Sequence, residues 1–284
     1  MTGNTGNTGN TGNTGNAGPS GGGWFLPDRV DYPFVTERDG HDRTLGSLRR
    51  TGPARFPDRC WAANWDAWLV LHEFAVTGWQ ASAGTVLEAV LRDKATDAAE
   101  LDALVLAARD ERAEAMGEIL AQDAEFFSAF MGLLSINPAS HGRTYRVLHA
   151  ASLIGSFAAL YFKGVHQRTR PSQLCPALLP PVPMPGHAAF PSGHATQAHL
   201  MALCVLHVLR EARLPPGDLA ALEGDLGVLA ARIARNREIA GLHYASDSAG
   251  GKALAGSVFA HLTGAQAPVP RFADAVSAAA GEWS

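Results

Sequence analysis

The chain has 284 residues and a mass of 29.9 kDa, with 46% hydrophobic and 18% charged residues, enough apolar material for one substantial core. A formal net charge of −4, a pI near 6.2 and the lack of any basic run exclude broad nucleic-acid binding. Its cysteines, Cys60, Cys175 and Cys204, have no regular spacing, which excludes a disulfide framework or a zinc pattern and fits a reducing compartment.

Residues 1–23 repeat a Thr-Gly-Asn triplet and then turn glycine-rich. Such a segment buries too little apolar surface to offset its backbone entropy, so a disordered tail is expected. Residues 24–60 are rich in Pro, Asp and Arg and are expected to form an extended arm, held to the body by Trp24, Phe25, Tyr32 and Phe34. Residues 61–284 are expected to make a single helical domain. From 61 to 92, Trp61, Trp65, Trp68, Leu69 and His72 recur at three- and four-residue steps, which predicts a helix with a core-facing aromatic stripe. A second helical segment runs from Thr85 to Leu91. Between 97 and 134, Asp97 with Glu100 three residues on has the pattern of a capping box. Leu101, Leu104, Val105 and Ala108 form the inner face there. Glu111, Glu114 and Glu118 read as a solvated face, because no Glu-x-x-His motif accompanies them to make a di-metal site. Phe126, Phe127, Phe130 and Leu134 continue the core, and Asn137-Pro138 marks a break.

Residues 142–168 read as a long apolar helix that carries Lys163 near its C-terminus and is ended or kinked by Pro171. Its most apolar run, Val147 to Phe162, is interrupted by His149, Ser152 and Ser156, so it reads as a buried helix rather than a membrane span. No basic segment followed by an apolar one opens the sequence, and the expected location is cytoplasmic. A proline-rich loop from 172 to 190 should roof a pocket. Helices are expected over 194–212, 218–241 and 243–263, with Ala249, Gly250, Gly251 and Gly256 allowing close approach in the last. The final twenty or so residues are expected to pack loosely. With no strand pattern, the fold class is all-α, a helical bundle with its site between facing helices.

Three motifs carry the chemistry. The first spans Lys163-Gly-Val-His-Gln-Arg-Thr-Arg170-Pro171, the second Phe190-Pro191-Ser192-Gly193-His194, and the third Arg237 through His243 to Asp247. Lys163, Arg170 and Arg237 can neutralise a tetrahedral oxyanion and the charge that builds on it in a transition state. Ser192 offers a hydroxyl, Gly193 a closely approaching N–H, and a helix starting there would aim further N–H groups at an anion. His243 and Asp247, four residues apart, would share one helix face. The carboxylate would hold one ring nitrogen of His243 and leave the other as nucleophile or ligand, with His194 as general acid and then base. Taken singly, each of these residues is more often a surface charge, a turn or a core histidine; together in this order they point to one site.

The three motifs resemble the superfamily that joins type 2 phosphatidic acid phosphatases, class A bacterial acid phosphatases and vanadium haloperoxidases. Lys163 to Pro171 fits its first motif, Pro191 to His194 its second, and Arg237, His243 and Asp247 its third, with Asn236 standing where the family usually has Ser. The resemblance covers roughly the last half of the chain and implies a soluble bacterial member. It implies two alternative activities. In a phosphate-monoester hydrolase without cofactor, Lys163, Arg170, Ser192, Gly193 and Arg237 bind phosphate, His243 forms a phosphohistidine, and Asp247 holds its tautomer. In a vanadium-dependent haloperoxidase using hydrogen peroxide and bromide or iodide, vanadate is the cofactor. His243 is then its metal ligand, with His194 beside its apical oxygen. Short gaps between motifs and Ser246 before Asp247 favour the phosphatase. His187 favours the haloperoxidase, because the stretch from it to His194 is similar to bromoperoxidases, and it is a candidate pocket residue. The partners implied are a small phosphate ester, or peroxide and halide, with no nucleic acid and no membrane span; an oligomer is compatible with the sequence. A phosphate-binding module without turnover is the remaining class.

Overall fold

Each periodic apolar stretch becomes helix in the computed structural model, which describes residues 55–264 and 269–283. The expected tail and the four arm aromatics, Trp24 to Phe34, lie outside the described residues. Among the described residues there is no strand, and the all-α expectation holds.

Helices α1 (Ala63–Ala75) and α2 (Gln80–Asp93) are separated at Gly78, whose φ of +74° suits a residue without a side chain. The face of α1 that packs inward is Ala67, Val70, Leu71 and Phe74. The aromatic stripe is therefore not core: Trp65 and Trp68 are 60% and 53% exposed. Periodicity located the helix, but the smaller aliphatic residues won the interior. Next come α3 (Asp97–Asp110), α4 (Arg112–Ala124) and α5 (Phe127–Leu133). Thr96, not Asp97, caps α3, its side chain accepting from the Ala99 N–H at 3.3 Å. Glu100 is thereby released from the expected capping box, and its carboxylate turns inward.

The long apolar helix is α6 (Gly142–His166). It ends short of Pro171, at Gln167 in the left-handed region with φ of 49°, and Pro171 instead opens the brief helix α7 (Pro171–Leu174). Gly142–Leu174 is long and apolar enough by length and composition to cross a membrane, yet 78% of its most apolar window is buried inside the fold. The core is centred on α8 (Gly193–Glu211), which packs on α6, on α9 (Pro216–Ile239) and on α10 (Ala245–Thr263). Leu200, Met201, Val205 and Leu209 of α8 meet Leu148, Ile154 and Ala158 of α6 and Leu254 and Val258 of α10 in one cluster.

The C-terminal residues are packed, not loose. Helix α11 (Pro270–Ala280) buries Phe272, Val276 and Ala279. Beyond it, the Glu282 carboxylate accepts from the N–H groups of Arg143 and Thr144, both at 2.8 Å, and from the Thr144 hydroxyl at 2.9 Å. It thus caps the first turn of α6, where helical N–H groups lack partners and negative charge is favoured.

Close approach of α10 to α8 rests on two of the four expected small residues. A Cβ on Gly250 would lie 2.5 Å from the Phe190 ring. One on Gly251 would lie 2.7 Å from both the Ala195 Cβ and the Ser192 carbonyl oxygen. Gly256 has open space around it and Ala249 is exposed, so neither takes part. The substitution Gly251→Ala should therefore destabilise the fold by roughly 1–3 kcal/mol, read from chemical denaturation. An unchanged midpoint would mean the two helices have slack.

Candidate active site

The three motifs converge at the N-terminal ends of α8 and α10 and the C-terminal ends of α6 and α9. Main chain joins two of them directly, the Ser192 N–H donating to the Asp247 carbonyl at 2.9 Å. Lys163, Arg170, Ser192, His194, Arg237, His243 and Asp247 are all at most 4% exposed, and Gly193 is buried as the first residue of α8.

His243 does not share a helix with Asp247. It lies in the turn between α9 and α10, one residue before Tyr244, and Asp247 sits in the first turn of α10. The expected contact forms all the same, because the chain enters the helix there. His243 Nδ1 is 3.1 Å from Asp247 Oδ2, which also accepts from the Tyr244 N–H at 3.1 Å. An ionised carboxylate only accepts, so Nδ1 carries the ring proton and Nε2 is left with its lone pair. That nitrogen faces Arg170, whose Nη1 is 3.5 Å away.

Main-chain carbonyls position the cations. Lys163 Nζ donates to Ala188 at 2.8 Å and Ala189 at 2.7 Å. Arg170 donates through Nε to His187 and through Nη1 to Leu242, both at 2.9 Å. Here the proline-rich loop supplies the carbonyls that hold two of the three cations. Arg170 Nη2 is also 3.1 Å from His187 Nδ1, which brings the His187 ring to the cradle. Arg237 donates through Nη2 to Asp123 of α4 at 3.2 Å, while its buried Nε and Nη1 have no partner among the described residues. Buried donors are nearly always paired, so two guanidinium N–H groups left over beside two other cations fit an oxyanion.

His194, in the first turn of α8, packs on Phe126 and has Nε2 3.3 Å from the Gln122 carbonyl. Asn236, the departure from the family pattern, donates to Glu118 at 2.9 Å and to Gln122 at 3.0 Å, tying α9 to the helix that carries the His194 contact.

Burial, followed by the surrounding cations, sets the charge states. Burial and then Arg170, Lys163 and Arg237 pull His243 well below its ordinary range. Burial, then Arg237, does the same to His194, against the pull of the Gln122 carbonyl. Burial also lowers Lys163 well below its ordinary value, and Arg170 to about 10. It pushes the Asp247 carboxyl up to about 6, opposed by Arg168 and Lys163.

Three residues that hold this site were not singled out from the sequence. Arg168 donates through Nη1 to Asp247 Oδ1 at 2.8 Å. Glu100 binds both Arg168 and Ser246. Asp123 is the counter-ion of Arg237. Arg168 was visible as an extra cation within the first motif, whereas nothing local marked Asp123, and Glu100 resembled a cap.

Among the described residues the fold is all-helical, and its three motifs bring Lys163, Arg170 and Arg237 together with the imidazoles of His194 and His243, a set that could hold a tetrahedral oxyanion. Residues 145–268, the stretch that contains all three motifs, match the family described as the PAP2 superfamily. The superfamily includes phosphatases and haloperoxidases. No curated protein matches the chain.

The depressed histidines predict how stability depends on pH. A buried His whose folded pKa lies below its unfolded value stabilises the fold above about pH 6.5, and that stability is lost as pH falls. His194 and His243 act this way, and so do His149 and His199, each lowered by burial to about 4. Asp247 acts oppositely: its stability is present below its ordinary value of 3.8 and is lost as pH rises through about 6. Burial lowers His166 too and raises Asp66 as it does Asp247; the depressed histidines outnumber the raised carboxyls, so the protein should lose stability from pH 7 to pH 5, by up to about 1.4 kcal/mol per pH unit for each buried histidine. Urea midpoints in phosphate-free buffer measure this, and His194→Gln with His243→Gln should flatten the slope.

Proposed function

We propose that the protein hydrolyses phosphate monoesters through a phosphohistidine on His243. The observation that carries this reading is an unprotonated His243 Nε2, 3.5 Å from Arg170 Nη1, in the same buried cationic cluster as Arg237 N–H groups that have no partner among the described residues. The phosphoryl group would lie among Lys163, Arg170 and Arg237, with the Ser192 hydroxyl and the Gly193 N–H at the start of α8 on its remaining oxygens. Nε2 attacks phosphorus, the bond to the ester oxygen breaks, and the leaving oxygen takes a proton from His194. Asp247 holds the His243 proton on Nδ1 and stabilises the ring as it becomes cationic. Water, deprotonated by His194, then breaks the N–P bond and releases phosphate.

The charge states above explain how His194 can act as an acid. Without ligand, burial and then the cations around it disfavour its protonated form. A bound phosphate dianion would offset the cations' share of that effect and favour the protonated imidazole.

His187 keeps a second reading open. Its ring contacts Arg170, and the same donor set fits vanadate, with His243 Nε2 as ligand. Bound there, vanadate would supply the Lewis acidity for halide oxidation by hydrogen peroxide. This chain's own contribution would be the same: three cations hold the oxyanion, Asp247 fixes the His243 tautomer, and His194 moves the proton.

One pair of assays on the purified protein separates the readings: phosphate release from a chromogenic ester, and bromide oxidation with added vanadate and hydrogen peroxide. The phosphatase reading predicts ester cleavage inhibited competitively by vanadate. It also predicts that His243→Ala lowers kcat by a factor on the order of 10⁴ or more. Bromide oxidation without ester cleavage would replace it with the haloperoxidase reading. Phosphate binding with neither activity would leave a binding module.

A further inference from the structure

The Asp247 carboxylate is held on both oxygens. Oδ2 is taken by His243 and by the Tyr244 N–H, and Oδ1 by Arg168 Nη1 at 2.8 Å. Arg168 lies in the loop after α6 and is itself fixed on every side. Nη1 also donates to the Ser246 hydroxyl at 2.6 Å, and Nη2 donates to Asp97 and to Glu100, both at 2.7 Å. Its guanidinium carbon lies 3.8 Å over the centre of the Tyr244 ring. Glu100 completes the arrangement: Oε1 accepts from the Ser246 N–H and Oε2 from the Ser246 hydroxyl, both at 2.8 Å. Arg168 and Glu100 side chains are 11% and 6% exposed, so this is not a solvated surface pair.

We propose that Arg168 is a positioning residue for the Asp247–His243 pair, and that Glu100 of α3 aims it. Glu100 stands outside the stretch matched to the superfamily, so an N-terminal helix reaches the back of the site. The proposal deepens the reading of His243 as nucleophile and rests on it. Arg is suited to the role because its planar fork can bridge two carboxylates with fixed geometry, which a Lys ammonium cannot. If Arg168 turned away, Asp247 Oδ1 would lose its one side-chain partner among the described residues, and the carboxylate could rotate and release the Nδ1 proton. Glu100 prevents this by holding the opposite end of the guanidinium. Because it also holds the N–H and the hydroxyl of Ser246, the first turn of α10 and the guanidinium move as one unit.

A surface cavity of about 620 Å³ lies behind this unit, with Ala99, Glu100, Leu104, Ser246 and Ala249 among its lining residues. Glu100 and Ser246, which hold the guanidinium, line this cavity, so chemical rescue of a truncated Arg168 by a small planar cation tests the role. Arg168→Ala should lower kcat for ester hydrolysis roughly 10- to 100-fold. KM should change by less than about threefold, because the phosphate cradle is untouched. Millimolar guanidinium should restore part of kcat where sodium does not, and Arg168→Lys should recover little. Glu100→Gln, which keeps the shape and loses the charge, should lower kcat several-fold with KM unchanged. It carries the same test should circular dichroism show that Arg168→Ala has lost its helix.

A second readout does not require turnover. The hydrogen-bonded His243 Nδ1 proton, identified by its absence in His243→Gln, should give a low-field proton NMR signal in the parent protein. Arg168→Ala should lose or broaden that signal, and guanidinium should bring it back. A folded Arg168→Ala with full kcat and an unchanged signal would overturn the proposal, as would a raised KM at unchanged kcat. If the parent cleaves no ester, the hydrolase reading falls on its own, and the proton signal still decides whether Arg168 holds the pair.

Discussion

Three cationic side chains are buried together around one point, and this governs the rest of the structure. Ions removed from water are costly unless other groups replace the lost hydration. Here the replacement is partial. Carbonyls of Ala188 and Ala189 serve Lys163, carbonyls of His187 and Leu242 serve Arg170, and Asp123 serves one nitrogen of Arg237. The remaining N–H groups of Arg237 have no partner among the described residues. Burial, and then the same positive field, favours the neutral form of both imidazoles.

The fold supplies what the cluster needs from elements far apart in sequence. Helix α6 delivers Lys163, the proline-rich loop delivers the carbonyls, and α8 begins at the oxyanion site. Helix α9 ends at Arg237, and the turn before α10 presents His243. Gly250 and Gly251 let α10 lie against the second motif. Helices α3 and α4, before the matched stretch, supply the carboxylates that steady Arg168 and Arg237. The catalytic inventory is thus local to the last half of the chain, and its restraint is not.

What the sequence revealed follows the same division. Motif order and spacing identified Lys163, Arg170, Ser192, Gly193, His194, Arg237, His243 and Asp247, and the structure brings them together. Apolar periodicity gave the all-helical architecture. It failed where two faces of a helix were both apolar, as with Trp65 and Trp68, because pattern alone does not say which face is covered. The His243–Asp247 contact forms as the spacing of four suggested, but across the turn that enters α10 rather than along a helix. Glu100 and Asp123 were invisible for a different reason: a long-range ion pair has no local signature, and a Glu at a helix start is ordinarily explained by the helix itself.

The central claim is that the buried cations form a binding site for a tetrahedral oxyanion, with Arg237 holding N–H groups in reserve for it. Titration calorimetry with inorganic phosphate, comparing the parent protein with Arg237→Gln, tests that claim without reference to turnover. The account predicts saturable binding to the parent at one site, weakened at least about tenfold in the variant. Equal affinity in the two proteins, or no binding to the folded parent, would contradict it.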